Sequence, residues 1–255
     1  MALFGWQNAV EAAGVALTAS SAAAGYGPEA LRVPIGNPSV AWMTALGVTS
    51  ASLVIAAPGA IDWRAVCLAR TNLTPAATMR VRVGGPLAPD YDSGMVPAGV
   101  RVGVGQGLHL LPAAVPGTLL TIDIADPGNP DGRLNVPLVY AGPGAEIAIA
   151  PQSDTGLDIR RGDVITRGGT VLTQALSAAR SWQISVGFAR DAALGWLDEL
   201  ESAAAAGRNV LFIPRLAHPR AAGEAIFGLL APGRRGFLGP SGLYRIWAAT
   251  ITERL

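Results

Sequence analysis

The stretch Ile122 to Gly132, IDIADPGNPDG, concentrates groups that could do chemistry: three Asp, one Asn and two Gly, pinned by two Pro. Oxygen-rich runs of this kind bind calcium when the ligands fall at set positions. An EF-hand-type loop needs oxygen ligands at positions 1, 3 and 5, Gly at 6 and Glu at 12. With Gly132 at position 6, Asp131 falls at 5 and Asn129 at 3, but Pro127 falls at 1 and Leu138 at 12. Both ends of the ligand set are missing. Asp-Pro, Asn-Pro and Asp-Gly are turn chemistry with local backbone bonding. The stretch is therefore expected to be a stiff turn, with an irregular calcium loop as the competing reading.

Other candidates fall short for stated reasons. Gly103, Gly105 and Gly107 resemble a dinucleotide loop, but the third Gly comes one residue early and Pro112 limits any helix. GPSGL (239–243) approaches a nucleophile elbow but carries Leu243 in place of the last Gly. His109 and His218 have no partner at ligand spacing, although a dispersed triad leaves no mark in spacing. No catalytic residue, metal ligand or cofactor site is assigned, and the chain is not expected to be an enzyme. Five Trp (42, 63, 182, 196 and 247) lie in or beside expected elements and are read as core. A sugar-stacking platform needs an exposed aromatic, for which Tyr26, Tyr91 and Trp6 are the candidates. Asp90, Tyr91 and Asp92, in DYDSG (90–94), form the possible glycan-contact loop.

The elements that must position these residues are mostly strands. Gly (32) and Pro (19) are spread through the 255 residues and punctuate short apolar runs, the pattern of an all-β sandwich. Expected strands include 52–57, 63–70, 78–85, 99–105, 118–124 and 134–142. Met79-Arg80-Val81-Arg82-Val83 puts two Arg on one face and three apolar side chains on the other. Pro137 marks an edge or bulge, and PEALRV (28–33) could make a helical turn. The pattern changes near residue 145. Strand 180–188 is followed by a helix over 190–206, with Leu194, Trp196, Leu197 and Leu200 as its apolar face, Asp191 at its start and Gly207 at its end. Strands 209–214 and 244–252 follow. The fold class expected is mainly β. An all-β sandwich spans 15–147, which a resemblance to known jelly rolls makes a jelly-roll β-sandwich behind an N-terminal arm, 1–14, and an α+β domain, a β-sandwich or barrel with one helix, spans 148–255.

Composition narrows the function. Half of the residues are hydrophobic and 15% are charged, a globular balance. The net charge of +1 gives no field to draw in nucleic acid or an anionic membrane, and all nineteen basic residues are Arg. The single Cys67 lies in an apolar run and excludes an intrachain disulfide or a thiolate zinc cluster. The Ala-rich N-terminus lacks basic residues before Arg32, so it is not expected to be a secretion signal. No apolar run is long enough to suggest membrane insertion.

On these residues, TASSAAAGYGPEALRVPIGNPSVAWMTA resembles the opening of discoidin-like, galactose-binding-type jelly rolls. LVIAAPGAIDWRAVCLARTNLTPAATMRVRVGG and LTIDIADPGNPDGRLNVPLVYAG resemble segments of tailed-bacteriophage and prophage structural proteins. The resemblance covers about residues 15–142 and is carried most by Asn72-Leu73-Thr74 and by Asp126 to Gly132. Thr71 stands where that pattern would have His. RSWQISVGF, the helix, NVLFIP and EAIFGLL are similar to the strand–helix–strand core of distal-tail and minor-tail proteins. The resemblance implies a virion component at a tail tip or baseplate. It would be made in the bacterial host cytoplasm and would assemble with itself in a symmetric ring against tail-tube, hub or fibre proteins. The alternative is a carbohydrate-binding module that contacts host-surface glycans.

Overall fold

The computed structural model describes residues 1–101, 103–190, 195–238 and 244–254. Among them the strands in the first half are β1 (Ala2–Gly5), β2 (Ala16–Ala19), β3 (Trp42–Met43), β4 (Ser50–Ala69), β5 (Thr78–Gly84), β6 (Pro89–Asp92), β7 (Val96–Pro97) and β8 (Gly107–Ala125). Next come β9 (Asn135–Val136), β10 (Leu138–Gly142), β11 (Ala145–Ile147), β12 (Asp154–Ile165) and β13 (Val171–Arg190). The rest is α1 (Leu197–Ala205), β14 (Asn209–Ile213), α2 (Ala221–Glu224), β15 (Ile226–Leu238) and β16 (Tyr244–Glu253). The chain is mainly β, and every described strand pairing is antiparallel. It divides into two compact units, residues 1–147 with 211–227, and 148–210 with 228–255.

The first unit is built on the sheet β10-β4-β8-β5-β6. The alternation at 79–83 is realised: Met79, Val81 and Val83 are buried, and the intervening Arg80 and Arg82 lie on the outer face. The inner face packs with Trp42 and Val136 of the small sheet β3-β9 around Leu53, Ile55, Trp63, Leu120 and Ile122. One end of the sheet is covered on both sides. Val66 and Leu68 of β4 face this core, whereas Ala65, Cys67 and Ala69 face a second cluster with Leu3, Tyr140, Leu211 and Phe227. Cys67 is thus a buried core residue. Residues in both clusters alternate along one strand, which is why the run around Cys67 is almost continuously apolar.

Several expectations are corrected. Segment 1–14 is not an arm. Ala2, Leu3 and Phe4 are fully buried in β1, which pairs with β11 on one side and β14 on the other. Its apolar character serves this unit's own core. The described residues among 99–105 do not form a strand, because Gly99, Gly103 and Gly105 adopt left-handed backbone. The expected strands 52–57 and 63–70 are one strand, β4. Pro58-Gly59 in β4 lies within a shift of register, and Pro116-Gly117 in β8 and Pro232-Gly233 in β15 lie inside strands next to such shifts. Gly117 is also required sterically: a Cβ there would meet Val83 Cγ1 at 2.6 Å, and its carbonyl accepts from Trp63 Nε1 at 2.8 Å. Pro137 separates β9 from β10, as a proline in a ladder should. PEALR forms a 3₁₀ turn, Pro28–Arg32.

In the second unit β13 pairs with β12 and with β16, and β15 pairs with β16. The helix is shorter than expected. Strand β13 continues to Arg190 and the helix begins at Leu197, while Asp191 and Leu194 lie outside the described residues. Leu197, Leu200 and Ala203 form its buried face. Glu201 ties the helix to the sheet: its Oε1 accepts from Trp247 Nε1 at 2.9 Å and from Arg235 Nε at 2.8 Å. Trp42, Trp63 and Trp247 are all core residues.

Candidate functional site

The Asp126 loop is a closed polar network. Strand β8 ends at Ala125, and the fully buried Asp126 turns its carboxylate toward residues 71–74. Its Oδ2 accepts from the Thr74 N–H at 2.8 Å and from Asn129 Nδ2 at 3.0 Å, and its Oδ1 accepts from the Thr74 hydroxyl at 2.7 Å. Asn72 closes the other side. Its Nδ2 donates to Asp131 Oδ2 at 2.8 Å and to the Arg133 carbonyl at 2.9 Å, while its Oδ1 accepts from the Asn135 N–H at 2.8 Å. Asn-Leu-Thr and the Asp-Pro loop, apart in sequence, are therefore two halves of one clamp. The carboxylate is used to satisfy backbone and side-chain donors, and the loop serves as a rigid connection. Among the described residues, no group of three or more His, Cys, Asp or Glu could hold a metal ion.

Asp90, Tyr91 and Asp92 lie on a strand, β6, and not in a loop. Asp92 is held in a bidentate pair by Arg80, at 2.8 Å from Nε to Oδ1 and 2.5 Å from Nη2 to Oδ2, and also accepts from the Gly94 N–H at 2.9 Å. These donors hold its carboxyl well below the usual range, the Arg80 hydrogen bond first. Arg82 and Ser52 hold Asp123 of β8 in the same way, at 2.8 and 2.6 Å. The outer face of the sheet thus carries a ladder of paired charges next to β6. Tyr91 is half-buried, and its hydroxyl meets His109 Nε2 at 2.8 Å. Burial, and then the charge of Asp92, raises the Tyr91 phenol above its ordinary value, and burial lowers His109. Burial favours the neutral imidazole. Asp90 is exposed beside it.

Spacing gave no sign that His109 would meet Tyr91. Only the folding of β6 and β8 into one sheet brings them together. His218 is spent locally: its Nδ1 accepts from the Arg220 N–H at 3.1 Å at the start of α2. Trp6 lines a pocket of about 120 Å³ with Gln7, Pro143, Gly144 and Ala145, which is small beside ordinary ligand sites. Tyr26 is half-buried, with its backbone bonded to Ala23 and Met43. Residues 239–243 lie outside the described residues. Gly103 and Gly105 serve turns, with Gly105 packed against Thr71, and Gly107 opens β8.

No protein-family model matches the chain, and no curated protein matches it. Part of the chain is similar to several solved structures. One is the family 32 carbohydrate-binding module of Clostridium perfringens NanJ in complex with galactose, with 11% identity, TM-score 0.42, and coverage of 55% of this chain and 98% of that one. Another is the lectin-binding domain of Lectinolysin complexed with Lewis b, with 12% identity, TM-score 0.40, and coverage of 52% and 94%. A family 89 glycoside hydrolase from Clostridium perfringens is similar over 52% of this chain, at 13% identity and TM-score 0.38, but only 14% of that enzyme is covered.

Proposed function

We propose that the first unit is a carbohydrate-binding β-sandwich of the discoidin-like, galactose-binding type, and that the protein binds glycans on a cell surface without chemical turnover. The observation that carries the reading is the Tyr91–His109 pair. The aromatic ring is half-buried on the edge strand of the sheet, on the same face as Val83, and its phenol meets an imidazole, while Asp92 points to the opposite face with Arg82. Sugars are bound by stacking on such a ring while fixed polar groups meet their hydroxyls.

The resemblance of residues 15–142 makes galactose the first probe. In a glycan array followed by calorimetry, the intact protein should bind galactose-terminated glycans. Tyr91→Ala should lose about tenfold or more in affinity, and Tyr91→Phe about threefold, by removing the bond to His109 alone. Unchanged binding by a folded Tyr91→Ala protein would remove this site.

The second reading is a structural component of a phage tail tip. It is supported by the sequence resemblance and by the exposed apolar side chains of the β12–β13 hairpin, among them Leu157, Ile159, Val164 and Ile165. Cryo-electron microscopy of the native particle tests it. Density for this chain at the tail end would establish the role, and a particle without it would end that reading.

A further inference from the structure

Strands β12 and β13 form an arm. β16 pairs with β13 only over residues 181–190, so residues 171–180 are paired with β12 alone. The arm turns through Thr166 to Thr170, where the Thr166 N–H donates to the Thr170 carbonyl at 2.9 Å. Two strands alone are marginal in water, and a third strand is the usual remedy. β12 is the last strand of its sheet, so its outer edge faces no described strand. Its side chains are exposed nearly throughout, including Leu157 (57%) and Ile159 (58%).

Like charges along an edge guard it against pairing. The charges of β12 follow a different rule. Its sequence, DTGLDIRRGDVI, has Asp158 and Arg160 on one face with Ile159 between them on the other. We infer that β12 pairs antiparallel with β12 of a second copy of this chain, about a two-fold axis at Ile159. In that register Ile159 meets Ile159, and Asp158 meets Arg160 on both sides of the axis. Arg161 lies opposite Leu157, where its aliphatic stem covers apolar surface. Residues 154–164 are all paired. A slip that moves the axis to Asp158 or to Arg160 sets like charges directly opposite, which disfavours both neighbouring registers. The register shift in the hairpin places its extra residue on β13, between Ser177 and Ala175, so β12 itself runs unbroken through Arg160-Arg161. The contact is isologous and closes as a dimer. It does not depend on sugar binding by the first unit.

The test is sedimentation equilibrium of the full chain at protein concentrations up to about 100 µM. The native protein should dimerise. Asp158→Arg and Arg160→Asp should each weaken the dimer by about tenfold or more, because each sets two like-charge pairs at the axis. The double variant D158R/R160D should restore it. Ile159→Cys should yield a disulfide-linked dimer on mild oxidation, because opposite residues in an antiparallel pair lie within disulfide reach and Cys67 is buried. A monomeric native protein, an oligomer indifferent to both single swaps, or a double variant that fails to recover would overturn the inference. Sugar binding measured on the same monomeric variants tests the glycan reading separately.

Discussion

The Asp126 loop and the β12–β13 arm are made from similar residues, Asp, Gly and polar side chains around turns, and they use them in opposite ways. In the loop each carboxylate oxygen of Asp126 has a donor, and the side chain is fully buried. In the arm the charged groups stand on an exposed edge, with Arg161 and Asp163 at 3.2 Å as a solvent-facing pair. Buried polar groups that satisfy one another hold a fold and leave nothing for a ligand. Exposed groups with unused backbone beside them are what a partner can recognise. A cluster of acids is therefore judged by where its hydrogen bonds go and not by its composition.

The largest effect that would break this contrast is expected at Asp126. Asp126→Ala leaves the Thr74 N–H and the Asn129 amide without an acceptor in a buried site. The cost should be about 3 kcal/mol in urea denaturation. Asp126→Asn should cost only about 1 kcal/mol. The Asn oxygen can take the place of Oδ2, and the Thr74 hydroxyl can rotate to accept from the new amide. If the two variants were equally destabilising, charge and not hydrogen bonding would hold the clamp. If Asp126→Ala were neutral, the loop would not be structural at all.

The clamp also shows what could be read beforehand. The loop was legible as a turn, because Asp-Pro, Asn-Pro and Asp-Gly fix local conformation. That Asn72 would close it was not, since the pairing depends on β4, β8 and the chain leading into β9 meeting in space. The β5 alternation was legible because one face is buried, which ties period to burial. Strand β14 was legible from the apolar run VLFI that follows Asn209. Strand β1 was misread because ALFG is too short to carry a period, and its partners Ala145–Ile147 and Leu211–Ile213 are far along the chain. The long strands were cut too short at Pro-Gly, because a bulge and a turn use the same two residues. Asp90 to Asp92 were picked out by type, but their strand setting and the partners Arg80 and His109 come only from sheet register.

A second, intermediate effect sharpens the comparison through pH. His109 has its proton affinity lowered by burial, so the unfolded chain binds a proton more readily than the folded one. Stability is then complete above the ordinary imidazole value of 6.5 and declines as pH falls from there toward the lower folded value. Burial alone shifts His109, and Asp92, whose charge bears on Tyr91, is paired with Arg80 on the other face of the sheet. Asp92 also loses its stabilising pair on acidification, but only at much lower pH, because Arg80 holds its carboxyl well below the usual range. Denaturation curves between pH 7.5 and 5 should therefore fall more steeply for the native protein than for His109→Gln. Identical slopes would remove His109 from the account and leave Tyr91 held by packing alone.

The smallest effect is expected in the arm, and its smallness is the point. Ile165 is 72% exposed next to the turn of the hairpin. Ile165→Ser removes apolar surface that is mostly in water already, so the stability of the monomer should change by no more than about 0.5 kcal/mol. In the two-fold register around Ile159, residue 165 lies beyond the paired stretch, so the same variant should leave dimerisation unaltered while D158R weakens it by about tenfold or more. A loss of monomer stability above about 1 kcal/mol would mean that the arm packs on its own chain. The two regions would then share a single role in holding the fold. A loss of dimer with no loss of stability would keep the arm as the interaction surface but move its centre from Ile159 toward the turn.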